Sequence, residues 1–302
     1  MRILSGLCLA LALGTSGVTV ARAEDKAPAT LSPADRIVSG GRAVQVSLPQ
    51  TEIAASADIG RVASNYYGSS GYYGFYDFWF IDSVNSDRRE RLLTAERSKA
   101  EDTAVRVRQA LWNFDVDTLA MNATKAALAR VDWFQPQGFT PSKDTGRATF
   151  MATAGTPQIA FVDYQYALSP DFTQIRVIAE ITLRRMTRPA GAPAAIPQVI
   201  YRQRMMSVVQ LAKRSYEPRE NANSWAADHG RLARAALTAA FKGFETLLPD
   251  ALNLDDKQIA AFDSKKLEKV FAAGINGPVV RRDGPDSLTI WSKGLISIQT
   301  IS

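Results

Sequence analysis

One cysteine and one histidine among 302 residues leave little material for the commonest catalytic and metal-binding schemes. Any Ser-His-Asp or Cys-His mechanism, and any multi-histidine metal site, must use His229 or fail. G-x-S-x-G, Walker A, Rossmann and H-E-x-x-H patterns are all missing, and the residues call for no metal and no cofactor. Charge of one sign is also scarce: 36 basic side chains face 30 acidic ones, mostly interspersed. A nucleic-acid surface wants a concentrated basic face, so no nucleic-acid partner is expected.

The longest apolar run, Ile3 to Leu13, is broken by Gly14, Thr15, Ser16 and Gly17 before it reaches the roughly twenty residues that span a bilayer. With Arg2 before it and Ala21-Arg22-Ala23 after it, the run reads as a cleavable secretory signal peptide over residues 1–23, and the chain as no integral membrane protein. Cys8 follows Ser5-Gly6-Leu7 inside the apolar core, which does not suit lipid attachment at a cut site. Cleavage after Ala23 would remove that cysteine with Arg2 and Arg22, leaving 34 basic against 30 acidic side chains. The expected mature protein is then thiol-free, mildly basic, and periplasmic or secreted.

Residues 24–36 are polar, carry Pro28 and Pro33, and read as a flexible lead-in. Val44, Val46 and Leu48 alternate in a short strand ended by Pro49. From Asp87 to Phe114 the spacing is helical, with Leu93, Ala100, Ala104, Val107, Leu111 and Phe114 on one stripe. A second helix follows Asp115 or Asp117 as cap, on the stripe Val116, Ala120, Ala123, Ala127, Val131 and Phe134. Pro136, Gly138 and Pro141 predict a loop as far as Gly146, so residues 37–147 form a mainly helical portion.

Residues 148–302 change character, to a sheet-plus-helix portion that can share one compact domain with 37–147. Segments 158–168 and 174–186 are rich in β-branched and aromatic residues around Ser169-Pro170-Asp171, a hairpin, and 198–211 adds a third strand. Ile175, Val177, Ala179, Ile181 and Leu183 alternate with Arg176, Glu180, Thr182 and Arg184, which predicts a sheet covered on one side. A helix from Asn223 or Ser224 to about Leu248 should cover this meander, a shorter one is expected within 257–272, and one or two strands close the chain after Pro278. The fold class is therefore α+β: an antiparallel β-meander packed against a long helix of the C-terminal half, with a helical N-terminal portion.

Three features bear on function. Residues 65–81 interleave aromatics with Gly68, Gly71 and Gly74; Tyr66, Tyr67, Tyr72, Tyr73, Tyr76 and Trp79 are candidate contacts for a protein partner, a glycan or a membrane surface, against the plainer reading of a loop and buried aromatics. Arg184, Arg185, Arg202 and Arg204 form a candidate basic surface, against the plainer reading of a solvated face. His229 falls beside the apolar stripe of the long helix, as a general base or as a partly buried structural histidine, and Asp163 is a carboxylate in an apolar strand. The leading expectation is a non-enzymatic envelope protein that binds or assembles with a partner. Two alternatives stand beside it: a histidine-independent, carboxylate-based hydrolase of cell-wall or glycan material, and a periplasmic small-ligand-binding protein.

Overall fold

The computed structural model describes residues 27–56, 87–143, 147–187, 196–264 and 267–302. The described elements run α1 (Pro33–Arg36), β1 (Arg42–Ser47), β2 (Ala54–Ala55), α2 (Asp87–Ala110), α3 (Val116–Ala129), β3 (Pro136–Ser142), α4 (Arg147–Thr153), β4 (Gln158–Leu168), β5 (Gln174–Thr187), β6 (Ile196–Leu211), α5 (Pro218–Asn253), α6 (Asp256–Asp263), β7 (Lys269–Ala272), β8 (Ile275–Arg282), β9 (Ser287–Trp291) and β10 (Leu295–Ile301). None of these helices is long and apolar enough to cross a membrane.

The antiparallel meander β4-β5-β6 lies at the centre of a ten-stranded sheet of order β3-β1-β4-β5-β6-β10-β9-β8-β7, with β2 paired to β4 off that path. The sheet is mostly antiparallel and the long helix α5 packs on β5, β6 and β10, so the protein is α+β. Parallel pairs β1/β3, β1/β4, β2/β4 and β6/β10 bring in strands from both ends of the chain. Residues 37–147 thus supply strands β1, β2 and β3 to the sheet as well as helices. Between β1 and β2 the ladder along β4 is interrupted, and a side chain fills the gap. Gln50 donates from Nε2 to the Tyr166 carbonyl (3.2 Å) and accepts from the Tyr166 amide (2.8 Å), as a paired strand residue would.

Four expectations are corrected. The stretch from Pro136, expected as loop, is strand β3; it lies at the edge of the described sheet, where a proline's missing donor is tolerated. Within 257–272 the helix ends at Asp263, after a capping box between Asp255 and Gln258, and Lys269–Ala272 is strand. Three strands, not one or two, close the chain. The lead-in is docked from Pro28 on: its carbonyl accepts from the Arg202 amide (2.9 Å), Leu31 is buried, and Ser32 caps α1.

The sheet has two covered faces. Ile175, Val177, Ala179, Ile181 and Leu183 of β5 do share one face, under α5, in a core with Phe241, Phe244 and Leu248, and α3 packs beside α5 in the same layer. Small residues Ala120, Ala123 and Ala127 let α3 settle closely, and the Tyr164 hydroxyl shares a hydrogen bond with Thr124 (2.9 Å) in that layer. The opposite face is not solvated along its length, as one-sided cover would require. Ile178, Met206, Val208, Ile296 and Ile298 form a second core there with Ile290, against which Val270, Ala272 and Ile275 of β7 and β8 pack. The closing strands curl the sheet over its own outer face, which a strand-by-strand alternation does not reveal.

A fully buried arginine ties the N-terminal segment to this scaffold. All five N–H donors of Arg42 are used: Nε to Gln158 Oε1 (2.8 Å), Nη1 to the carbonyls of Trp133 (2.9 Å) and Phe134 (2.7 Å), Nη2 to those of Asp35 (2.8 Å) and Arg36 (3.2 Å). Its guanidinium also stacks near Trp133 and Phe134. Burial pushes its pKa down to about 10, partly opposed by Asp35, so it remains a cation at neutral pH.

The long helix is not continuous. Ala227 is extended, and Asp228, His229 and Gly230 all take left-handed φ values (52°, 56° and 74°), so two helices meet at a kink. At Gly230 a Cβ would sit 2.9 Å from the Ala110 carbonyl oxygen, which is why glycine occupies the point where α5 meets the end of α2. Arg234 fastens the same corner, donating to the carbonyls of Ala110 (2.8 Å), Trp112 (3.3 Å) and His229 (3.2 Å). His229 is exposed in this kink and does not lie beside an apolar stripe; the left-handed turn swings it out to solvent.

Candidate functional site

The outer face of the meander is apolar in the middle and polar at both ends. Cross-strand register places Arg176, Ile178, Glu180, Thr182 and Arg184 of β5 on that face, with Asp163 and Phe161 of β4 and Arg202, Arg204, Met206, Val208 and Gln210 of β6. Arg176 and Gln210 mark one end, Asp163, Glu180, Arg202 and Arg204 the other.

At the Arg176 end lies a cavity of about 790 Å³, within the range of small-ligand sites. Its wall is assembled from five places: Lys99 and Thr103 of α2, the β4–β5 turn with Asp171 and Phe172, the end of β6 with Arg214 and Tyr216 beyond it, Arg176 in β5, and β7 with its turn into β8, which bring Phe271 and Gly274. The turn is fixed by its own chemistry. Asp171 accepts from the hydroxyls of Ser169 (2.6 Å) and Thr173 (2.9 Å) and from the Thr173 amide (3.2 Å), an Asx turn that lets Phe172 take a positive φ of 58°. Helix α5 then grips the turn's carbonyls: Asn221 Nδ2 donates to Asp171 O (2.9 Å) and Trp225 Nε1 to Phe172 O (2.7 Å).

Arg176 is the buried cation of this cavity. Its Nε donates to Gln174 Oε1 (2.8 Å) and its Nη2 reaches the Ala273 carbonyl (3.5 Å), placing the guanidinium beneath the β7–β8 turn. Desolvation pushes its pKa down to about 10, with Asp171 pulling the other way, and it stays charged at neutral pH. Among the described residues, the lining holds the cations Lys99, Arg176 and Arg214 and the carboxylate of Asp171.

At the other end, Asp163 and Glu180 are direct register partners on β4 and β5, two carboxylates facing the same way. Arginines hold them. Asp163 Oδ2 is engaged by Arg147 Nη2, and Glu180 Oε1 lies 3.6 Å from Arg202 Nε, with Arg204 as its register partner on β6. Burial raises the Asp163 pKa above the ordinary carboxylate range, and Arg147 opposes the rise without cancelling it.

That balance sets a prediction. A carboxyl whose native pKa is raised disfavours its own charge, so its protonation stabilises the fold as pH falls through the native value, and the unfavourable contribution is fully present above it. Asp163→Asn is therefore expected to change stability at pH 7 by less than about 1 kcal/mol, while Arg147→Met costs about 1–3 kcal/mol by leaving the desolvated carboxylate without its cation. Urea denaturation at pH 7 and pH 5 checks both: the Arg147→Met deficit should shrink at pH 5. A deficit that grows on acidification would refute the assignment.

The structure divides the sequence-predicted residues. Tyr66, Tyr67, Tyr72, Tyr73, Tyr76 and Trp79 lie outside the described residues. Arg202 and Arg204 share the outer face with Arg184, whose guanidinium stands 5.8 Å from the Phe161 ring. Arg185 points to the opposite face and pairs with Asp35, so the four arginines do not form one surface. Sequence reasoning missed Lys99, Arg176 and Phe271 as site residues. Arg176 carried the only available signal, an arginine between Ile175 and Val177 at a strand start, whereas Lys99 and Phe271 reach the cavity through tertiary contacts. Among the described residues no group of three or more His, Cys, Asp or Glu side chains is placed to hold a metal ion. No protein-family model, no curated protein and no solved structure matches this chain.

Proposed function

We propose that this chain is an exported binding protein of the cell envelope, which holds its partner or ligand without transforming it. One observation carries the reading: the 790 Å³ cavity, whose polar groups converge from separate elements and whose floor is braced by Asn221 and Trp225 of α5. The export half rests on the N-terminal signal, and the aromatic residues Tyr66 to Trp79 remain proposed partner contacts on their composition.

Crosslinking in intact cells tests location and binding together. A photo-crosslinking residue replacing Phe271 at the cavity is expected to give adducts in the envelope fraction, and the same residue replacing Lys257 on α6 should not. Equal yields from the two positions, or protein confined to the cytoplasm, would sink the reading.

The carboxylate-hydrolase reading has one observation in its favour, the Asp163–Glu180 pair on neighbouring strands. The Arg147 and Arg202 contacts give both carboxylates a structural duty that a binding protein needs no less. An Asp163→Asn/Glu180→Gln double variant that keeps its Phe271 crosslinks favours binding; loss of glycan-cleaving activity in that variant would favour the hydrolase.

A further inference from the structure

We infer that the groove between α5 and the closing strands is a carbohydrate site, in which a floor of hydroxyl groups holds a neutral sugar. It shares no lining residue with the 790 Å³ cavity and does not depend on that cavity's role.

The groove lies where the inner face of the sheet changes character. Register carries three rows of side chains across this face, the one under α5. Ala179, Met205, Leu295 and Trp291 make an apolar row. The next row starts at Val177 and then turns polar, through Ser207, Ser297 and Thr289 to Arg281, and the third runs from Ile175 and Val209 to Gln299 and Ser287. The residues between these rows, Met206, Val208, Ile290, Ile296 and Ile298, belong to the core on the other face, which fixes the parity. Helix α5 packs on β5, β6 and β10, and the polar part begins as that cover runs out. There a groove of about 400 Å³, within the range of small-ligand sites, separates Ala239, Gly243 and Thr246 of the helix from Ser287, Ser297 and Gln299 of the strands.

A solvated surface accounts for half-buried serines, but not for Thr289. This residue is 1 % exposed, its hydroxyl is out of contact with solvent, and among the described residues it has no hydrogen-bond partner. It stands in its row between Ser297 and Arg281, both of which line the groove. Ser207 is as deeply buried and likewise without a described partner, yet the helix closes it off: a Cβ at Gly243 would come 2.8 Å from its Oγ. Thr289 lies two strands further out, beside the groove, where a guest's hydroxyl can supply the hydrogen bond that burial otherwise withholds.

The chemistry of the wall selects the guest. Thr246, Ser287, Thr289 and Ser297 offer hydroxyls, each able to donate and to accept, and the Gln299 amide does both as well. The arginines of the wall are already engaged, Arg281 with Asp250 (2.7 Å) and Asp283 (2.8 Å), Arg130 with the Glu245 carbonyl (2.8 Å). An anion would compete with those carboxylates for Arg281 and leave the accepting capacity of the hydroxyls unused; a polyhydroxylated ring uses donors and acceptors alike. Opposite residues of an antiparallel pair stand about 4.5–5.5 Å apart at Cα, so Ser297 and Thr289 present hydroxyls at a spacing like that of alternate hydroxyls on a pyranose ring. Ala239 and Gly243 carry only one methyl group between them, so the C–H face of such a ring can lie against the helix flank.

The test is amide NMR titration of the purified protein with maltose, with N,N′-diacetylchitobiose and, as the ionic probe, with inorganic phosphate. At least one of the two disaccharides should bind with a Kd on the order of 1 mM or tighter and shift the amides of residues 287–289 and 297–299, while phosphate binds at least about tenfold more weakly.

Thr289→Val keeps the shape of the side chain and removes its hydroxyl. It should weaken the sugar about 3–10-fold, the equivalent of one hydrogen bond, with a melting temperature equal to the parent's or above it, because no described residue loses a partner. Ser287→Ala/Ser297→Ala, at half-buried positions, should weaken the sugar about 10–50-fold with the fold intact, and Ser207→Ala should leave binding unchanged. The proposal is overturned if neither disaccharide shifts these amides, if phosphate binds as tightly as the sugars, or if Thr289→Val and the double-serine variant both bind at full strength.

Discussion

Arg42→Met should unfold at a temperature roughly 10 °C or more below the parent, a loss of about 3–5 kcal/mol. Methionine fills much of the volume but donates nothing, and the carbonyls of Arg36, Trp133 and Phe134 together with Gln158 Oε1 would lose the group that serves them, while the Asp35 carbonyl would keep only Gln158. Each buried acceptor without a partner costs about 1–3 kcal/mol, though relaxation and water entry keep the loss below the full sum of such costs. The lost segment is specific. Asp35 also takes Arg185, and its carbonyl takes Gln158 Nε2 (3.1 Å), so the whole lead-in from Ser32 to Arg36 should come loose first. Arg42→Lys is the informative partner: one ammonium keeps the charge but cannot reach carbonyls on both sides, so it should recover only part of the loss. Thermal melts followed by hydrogen exchange at residues 31–36 read both effects, and a parent-like melting temperature for Arg42→Met would show that the five hydrogen bonds are not what anchors this end.

Trp225→Ala is expected to cost about 4 kcal/mol, and to damage the cavity before it damages the fold. Burying a large aromatic is among the greatest single contributions to a core, and truncation leaves a void that packed neighbours refill only in part. Trp225 is fully buried and its indole N–H holds the Phe172 carbonyl, whose residue sits at a positive φ in the cavity wall. Without that hydrogen bond the β4–β5 turn keeps its Asx contacts but loses one of its two ties to α5, so the wall slackens. Trp225→Phe separates the two roles: it retains most of the packing, should cost about 1–2 kcal/mol, and still removes the donor. Faster amide exchange at 171–173 in Trp225→Phe, with the rest of the sheet protected, is the expected signature. Uniform exchange throughout would mean that Trp225 acts through packing alone.

Asn221 is the second tie and explains why the helix starts early. Its side chain accepts from the Ser215 amide (2.8 Å) and donates to the carbonyls of Ser215 and Asp171 (both 2.9 Å), so the first turn of α5 doubles as the anchor of the loop it follows. A cap at Asn223 or Ser224 was the natural expectation from residue type. Tertiary partners moved the start back to Pro218, which takes the position where a missing N–H does no harm.

The sequence by itself determined the parts whose signal is local. Alternation of Ile175 to Leu183, the turn residues Ser169-Pro170-Asp171 and the Leu232 to Leu248 part of the helical stripe name strands, turn and helix from residue type and period alone, because each pattern lies within one regular stretch of chain. The tertiary structure decided what depends on partners distant in the chain: β3 becomes a strand because β1 supplies a parallel neighbour, and the outer face is covered because β7 and β8 fold back across it. The left-handed turn at Asp228 to Gly230 belongs here too, since at Gly230 the end of α2 comes so close that a Cβ would meet the Ala110 carbonyl. The cavity is the clearest case. Lys99, Arg176, Arg214 and Phe271 are scattered over more than half of the chain, each ordinary in its own segment. Only the closure of the sheet places their charges and apolar surface around one space, where desolvation makes their combination matter.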